Sequence, residues 1–230
     1  MDTVFITGVS RGLGKALADL FLQRGWKVFG LYRQSDHMPD FSHQNFIPVI
    51  ADITNDNCEK IIKSMLTDVP LRLLISNAGV GGKSPKLANV KSADLRLLFE
   101  THCIGALRVT RACMPHLLQH PDPVIININS RMGSVSGQYS GRYEHLERSY
   151  EYRIAKAAQN MLSACIHEEF GSAISVFQLH PGRIKTATAQ SDAVLQPSEA
   201  ALKIMRLWES GSMKSGEGIY DAETGEIYSW

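Results

Sequence analysis

Thr3-Val4-Phe5-Ile6-Thr7-Gly8-Val9-Ser10-Arg11-Gly12-Leu13-Gly14 runs an apolar segment of strand length straight into a glycine-spaced turn, with a helical pattern over Gly12–Arg24 behind it. Spacing of the form TGxxxGxG lets the backbone turn sharply and approach a neighbour closely, and it leaves the unpaired N–H groups of a helix start facing outward. Such an end carries a partial positive charge and accepts an anion such as a pyrophosphate. The same residues also make a plain strand-to-helix turn, so the rest of the chain decides between the two.

Working outward, strand-like runs recur at Lys27–Leu31, Phe46–Ala51, Leu71–Ser76, Val124–Asn129, Ile174–His180 and Gly218–Asp221. Helical patterns lie between them at Asn55–Thr67, Lys91–Gln119, Tyr150–Phe170 and Pro197–Glu209. Strands alternating with helices specify a parallel sheet joined by right-handed crossovers, and several runs are continuously apolar, as strands covered on both faces are. The expectation is an α/β fold: one doubly wound, mostly parallel sheet of seven strands with helices on both faces, spanning residues 1–230 as a single domain. No repeat, low-complexity tract or Pro/Gly/Ser linker divides it. The irregular stretches Gly133–Ser149 and Lys185–Gln196 read as loops over a site, the segment 185–210 being a short substrate-side portion. Ligands of open α/β sheets bind at the carboxyl ends of the strands, which turns the first strand–helix junction into a binding turn.

Charge excludes other classes. With 24 Lys+Arg against 23 Asp+Glu and a formal charge of +1, the chain lacks the cationic excess that nucleic acid or an anionic membrane surface requires. Cysteines at 58, 103, 113 and 165 form no CxxC pair, so they read as thiols of a reducing compartment rather than as a disulfide or zinc framework. Met1 leads into Val4-Phe5-Ile6 with neither a basic segment nor a long apolar stretch, and a cytoplasmic location is expected.

The second strand settles the nucleotide type. An acidic residue about 20 positions beyond the glycine turn holds the ribose 2′-hydroxyl of NAD. Here Leu31-Tyr32-Arg33 follows, with no carboxylate before Asp36, while Arg11 and Arg33 stand where cations meet a 2′-phosphate. NADP(H) is therefore expected, with NAD(H) as the alternative and solvated surface charge as the plain reading of both arginines. On the helix beginning at Tyr150, Tyr152 and Lys156 are four residues apart and share a face. A cation beside a phenol favours phenolate and equips Tyr152 for proton transfer. Tyr150 is a rival, but six residues separate it from Lys156 and turn it to another face. Ser130 ends the fifth strand at the binding edge, with Ser134 and Ser136 as alternatives in the following loop.

Thr7–Gly14, Asn77-Ala78-Gly79, Ser130, Tyr152 with Lys156, and Pro181-Gly182 occur in the order that characterises the short-chain dehydrogenase/reductase family, which the chain resembles over nearly its whole length. His180-Pro181-Gly182-Arg183-Ile184-Lys185-Thr186 and the ending Gly218–Trp230 resemble a subgroup of small C-factor and sniffer-type reductases. The resemblance implies a Rossmann-type fold, and an oxidoreductase that moves hydride between NAD(P)(H) and a small-molecule carbonyl or secondary alcohol, in a homodimer or homotetramer. It implies Ser130, Tyr152 and Lys156 as the catalytic set. It also implies cofactor contacts from Thr7, Gly8, Ser10, Arg11, Gly12, Leu13, Gly14 and Arg33, from Asp52 and Ile53 beside the adenine, from Asn77, Ala78 and Gly79 at its ribose, and from Tyr152, Lys156, Pro181, Gly182, Ile184 and Thr186 near the nicotinamide. A sensor of the same fold with little turnover is the alternative.

Three departures stand out. Ser130 and Tyr152 are 22 positions apart, wider than the family pattern, which implies an insertion within Gly137–Ser149 that flanks the cleft and brings Tyr139, Arg142, Tyr143, His145 and Arg148 as candidate contacts or as a solvated excursion. His102, three before Gly105, takes the place of a family Asn in a proton path; it either supports an altered relay or is a satisfied core histidine. Ser76 replaces a first Asn with little consequence. His180 reads as a strand-end residue, and no second histidine has metal-ligand spacing to it.

Overall fold

The computed structural model of the protein describes residues 1–33, 41–144, 146, 149–185 and 193–230. Its chain order is β1 (Thr3–Thr7), α1 (Gly12–Gln23), β2 (Lys27–Tyr32), β3 (Phe46–Ile50), α2 (Cys58–Met65), β4 (Leu73–Ser76), α3 (Ser92–Phe99), α4 (Gly105–Leu117), β5 (Val124–Ile128), α5 (Val135–Tyr139), α6 (Tyr150–Phe170), β6 (Ser175–His180), α7 (Pro197–Glu209), β7 (Ile219–Asp221) and β8 (Ile227–Tyr228). The strands lie in the order β3-β2-β1-β4-β5-β6-β7-β8. All neighbours are parallel except β7 and β8. Strand order reverses between β1 and β4, and their carboxyl ends diverge there to open a crevice.

Every residue of β1, β4 and β5 is buried, and alternate side chains serve opposite layers. Val4 and Ile6 join the core packed by α1 and α7, which also holds Leu17, Phe21, Ile204 and Met205. Phe5 and Leu74 join the core on the other face, with Ile62 from α2, Val109 and Leu117 from α4 and Ile166 from α6. The layered, doubly wound architecture is the one expected.

Three expectations are corrected. The sheet has eight strands: after the Asp221 turn, Ile227–Tyr228 folds back antiparallel on β7, a pairing too short to display a periodicity. The helical pattern at Lys91–Gln119 is not one uniform helix, because a π turn at Glu100–Ile104 separates α3 from α4. Helix α2 also starts later than Asn55: Asn55 accepts from the Asn57 N–H at 2.9 Å and belongs to the preceding turn. Among the described residues no helix is long and apolar enough to cross a membrane.

The added strand is held by a buried carboxylate. Asp221, 3% exposed, accepts from the Glu223 and Thr224 N–H groups through Oδ1 at 2.8 and 3.2 Å, and from the Tyr228 hydroxyl through Oδ2 at 2.6 Å. Removing that donor strands a buried acceptor, which costs about 1–3 kcal/mol. Tyr228→Phe is expected to lower stability by that amount in urea unfolding near neutral pH; an unchanged midpoint would mean that the hydroxyl holds nothing.

Candidate active site

At the β1–α1 junction each glycine answers a separate demand. Gly8 and Gly12 have φ of +76° and +59°, in the left-handed region where a Cβ is costly. Gly14 is helical, yet a Cβ there would stand 2.2 Å from the Gly8 carbonyl oxygen and 2.5 Å from Asn77 Nδ2. The junction is locked to β4 across the crevice: Thr7 Oγ1 accepts from the Asn77 and Ala78 N–H groups, each at 2.9 Å, and Asn77 Nδ2 donates to the Thr7 carbonyl at 2.9 Å. Arg11 precedes α1 in extended conformation, and no side chain caps the helix. The first-turn N–H groups are thus left to an external acceptor.

The remaining nucleotide-side candidates occupy the carboxyl ends of adjoining strands. Arg33 is exposed directly after β2, whose Leu31 is paired with Thr7. Asp52, just beyond β3, accepts from Thr54 N–H and Oγ1 at 2.9 and 2.8 Å, and Ile53 is buried beside it. Ser10 is half-buried in the turn. Thr186, like Asp36, lies outside the described residues.

Along the crevice, one cleft of about 310 Å³ is lined by Leu13, Asn77, Gly79, His102, Ser130 and Tyr152, and further by Lys156, Pro181, Gly182 and Ile184. Residues far apart in sequence therefore share one wall. Ser130 follows β5 and its Oγ accepts from Met132 N–H at 3.2 Å. The alternatives are committed elsewhere: Ser134 caps α5 and donates to the Ser229 carbonyl, while the Ser136 N–H bonds to the Trp230 carbonyl. Tyr152 rises from the first turn of α6, which Ser149 caps. Tyr150 does not reach the cleft; the Arg153 guanidinium covers its ring at 4.7 Å.

Lys156 is buried, with Nζ donating to the Ile128 carbonyl and to Gln159 Oε1, both at 2.9 Å, and lying 5.8 Å from the centre of the Tyr152 ring. Burial pulls its pKa down to about 7. Farther along the inward face of α6, Asn160 accepts from the Asn129 side-chain amide and donates to the Gly133 carbonyl at 3.0 Å, while Asn127 Nδ2 donates to Ser163 Oγ at 2.9 Å. The helix that carries the tyrosine is docked on β5 by polar pairs.

His102 sits in the π turn, 2% exposed, its ring edge-on to Tyr152 at 5.6 Å between centroids. Nε2 lies 2.8 Å from the Val80 carbonyl, which assigns the proton to Nε2 and leaves Nδ1 as a buried acceptor without a protein partner. Desolvation, and then the charge of Lys156, pull its pKa to about 3, so the ring is neutral at physiological pH. Gly79 is required beneath it, because a Cβ would stand 2.6 Å from His102 Cε1. The loop carrying Gly79 and Val80 is tied to α6 by Glu151, wholly buried and accepting from the Lys83 and Ser84 N–H groups at 2.8 and 3.0 Å. Burial opposes charge on Glu151, but these donors and its own N–H prevail and hold the carboxyl below its usual range.

The 137–149 segment gives the cleft only Ser149 among the described residues. Tyr139 is exposed, Arg142 pairs with Glu226 and covers the Tyr228 ring at 4.9 Å, and Tyr143 is buried against Gly137. His145 and Arg148 lie outside the described residues. His180 ends β6 and lines the cleft. Four further residues matter that motif spacing did not single out: Arg131 and Arg183 in the cleft lining, and Glu151 and Asn160 behind it. Each is adjacent to, or one helical turn from, a motif residue, which is the signal that marks them.

A glycine cradle at a topological switch point, with a serine, a tyrosine and a lysine along the same crevice, defines a Rossmann-type nucleotide-binding protein. The family model for short chain dehydrogenases matches residues 2–194, and the chain belongs to that family of oxidoreductases acting on CH–OH and C=O groups. It is 30% identical over 159 residues to the C-signal of Myxococcus xanthus, covering 69% of this chain and 92% of that protein. It is 29% identical over 192 residues to an NADPH-dependent pterin aldehyde reductase of Arabidopsis thaliana, covering 80% and 75%. A carbonyl reductase of Pseudomonas aeruginosa PAO1, solved in complex with NADP, superposes over the whole of both chains with a TM-score of 0.80 at 27% identity.

The depressed pKa of Lys156 has a measurable sign. Between about 7 and the 10.5 of an unhindered lysine, the unfolded chain binds a proton that the folded protein has released, so this group makes stability rise with pH across that window and costs most below it. Urea unfolding between about pH 6 and about pH 9 is expected to show that rise in the wild type relative to Lys156→Met. Parallel curves would mean that Lys156 stays charged in the folded protein.

Proposed function

We propose that the protein is an NADP(H)-dependent oxidoreductase that reduces a carbonyl, or in reverse oxidises a secondary alcohol, with Tyr152 as general acid and base. The observation that carries this is the meeting of Ser130, Tyr152 and Lys156 on one cleft beside the glycine cradle. The cradle fits a dinucleotide: its close approaches exclude side chains at Gly8 and Gly14, and its helix N–H groups face outward uncapped. Gly8, Ser10, Gly12, Leu13 and Gly14 would hold the pyrophosphate side, and Asp52, Ile53 and Asn77–Gly79 the adenosine side. Tyr152, Lys156, Pro181, Gly182, Ile184 and Thr186 would hold the nicotinamide side. Arg11 and Arg33, both exposed, would meet the 2′-phosphate. A reduced nicotinamide held there would supply the hydride.

Ser130 Oγ donates a hydrogen bond to the substrate carbonyl oxygen and fixes it beside Tyr152. Tyr152 gives its hydroxyl proton to that oxygen as the carbon gains hydride, so the product is an alcohol. Lys156, when protonated, stabilises the phenolate left behind. His102, kept neutral, offers Nδ1 as a hydrogen-bond acceptor that orients water on the proton path from Lys156, in place of the amide the family uses. The NADPH-dependent relative and the NADP complex of the Pseudomonas enzyme support the choice of cofactor. Exposed apolar residues on α3, α4 and α6, among them Leu97, Leu107, Ile154 and Met161, support a homodimer or homotetramer, and the balanced charge a cytoplasmic setting.

A second reading, a cofactor-binding signalling protein with little turnover, is favoured by the similarity to C-signal and by His102. The experiment that divides them is NADPH binding by fluorescence alongside NADPH oxidation against aldehydes, ketones and quinones. Turnover is expected, falling by about 10²–10⁴-fold in kcat for Tyr152→Phe with NADPH affinity retained. Binding without turnover across the panel makes the protein a sensor. NADPH is expected to outperform NADH in kcat/KM, with Arg33→Ala and Arg11→Ala narrowing the gap; a preference for NADH overturns the arginine assignment.

A further inference from the structure

We propose that the substrate carries a carboxylate, recognised by Arg131 and Arg183; this rests on the oxidoreductase reading and names the substrate class of the same cleft. Among the described residues the cleft is lined by Arg131, Lys156 and Arg183 and by His102 and His180, with no aspartate or glutamate. Several arginines elsewhere in the molecule are matched with carboxylates: Arg24 with Glu209, Arg72 with Asp2, Arg108 with Glu100, Arg111 with Glu59 and Arg142 with Glu226. Arg131 meets the hydroxyl of Tyr228, and no carboxylate lies within ion-pair distance of Arg131 or Arg183 among the described residues. Glu223 approaches Gly182, with Oε2 3.1 Å from where a Cβ would lie, yet makes no ion pair with the adjacent Arg183. A cleft lined by cations, with no anion among its described residues, focuses a positive field on whatever enters it.

Both arginines are fixed by the elements that fix the chemistry. Arg131 is the residue after Ser130 and opens a 3₁₀ turn, Arg131–Gly133, whose end is bonded to Asn160 of α6. Arg183 follows Gly182; its carbonyl accepts from the Val194 and Leu195 N–H groups at 2.9 and 3.0 Å, so the backbone at the mouth of the cleft is clipped in place. A guanidinium presents paired donors that match a carboxylate bidentately. The arrangement therefore selects a small molecule with a carboxylate at one end and the reacting carbonyl at the other, seated between Ser130 and the cleft mouth.

The test compares 4-carboxybenzaldehyde with its uncharged methyl ester, methyl 4-formylbenzoate, as substrates with NADPH. The acid is expected to exceed the ester in kcat/KM by at least about tenfold, the ratio one charge-assisted hydrogen bond supplies, with the difference in KM and shrinking as salt is raised. Arg183→Gln and Arg131→Gln are each expected to bring the ratio towards one. Arg183 is exposed, so its replacement strands no buried partner and the variant folds. The proposal is overturned by a wild-type ratio near one, by a ratio that survives both substitutions, or by equal losses on acid and ester accompanied by weakened NADPH binding, which would assign the arginines to the cofactor. If neither aldehyde is turned over, the oxidoreductase reading is decided by the wider panel of aldehydes, ketones and quinones. Calorimetric titration of 4-(hydroxymethyl)benzoate and its methyl ester into the free and NADP⁺-loaded protein then decides this inference: tighter binding of the acid, lost in Arg183→Gln, supports it, and equal binding overturns it.

Discussion

The inward face of α6 is polar where an ordinary buried helix is apolar, and the site depends on that exception. Lys156, Gln159, Asn160 and Ser163 recur at helical spacing, all at most 5% exposed, against the end of β5. Asn127, the Ile128 carbonyl and Asn129 answer them in turn, and the Gly133 carbonyl takes the remaining amide proton of Asn160. An apolar contact tolerates sliding, because its energy follows area; a seam of hydrogen bonds does not, since each bond lost strands a buried group at about 1–3 kcal/mol. Register between helix and strand is therefore fixed. Tyr152, one turn before Lys156, and Ser130, one residue beyond Asn129, inherit their relative position from it.

Desolvation then sets the chemical state of the groups the seam brings together. The burial that leaves Lys156 poised near neutral pH also keeps His102 neutral, and the charge of Lys156 adds to that effect on His102. Glu151 behaves oppositely at the same helix end, where backbone donors outweigh its burial. Similar burial thus yields a neutral base, a poised cation and a fixed anion, according to which hydrogen bonds each group receives.

The layered sheet was legible because its strands are continuously apolar and its helices amphipathic, and α6 and α7 begin and end where the periodicity places them. The glycine turn and the Ser130, Tyr152 and Lys156 set were legible because steric and chemical demands restrict those positions to a few residue types. Strand β8 was not, since two residues carry no period. Nor was the course of the 137–149 segment, whose Arg142 finds its partner, Glu226, 84 positions away while Tyr143 folds back against Gly137. Arg131 and Arg183 were visible as letters; their meeting on one cleft, with no carboxylate among its described lining residues, exists only once the chain is folded.

The π turn at Glu100–Ile104 has an evolutionary reading. Such a turn holds one residue more than a regular helix needs, so the chain can lose a residue there and still remain helical. That loss would turn the wide turn into a regular one while the helices on either side keep their register on the core. His102 would leave the cleft and a neighbour would enter, with the flanking helices α3 and α4 intact. At this point the protein can exchange the group facing its tyrosine by a change of length rather than by substitution, so descendants of the fold are free to differ here through single-residue gaps that alter chemistry without touching the core.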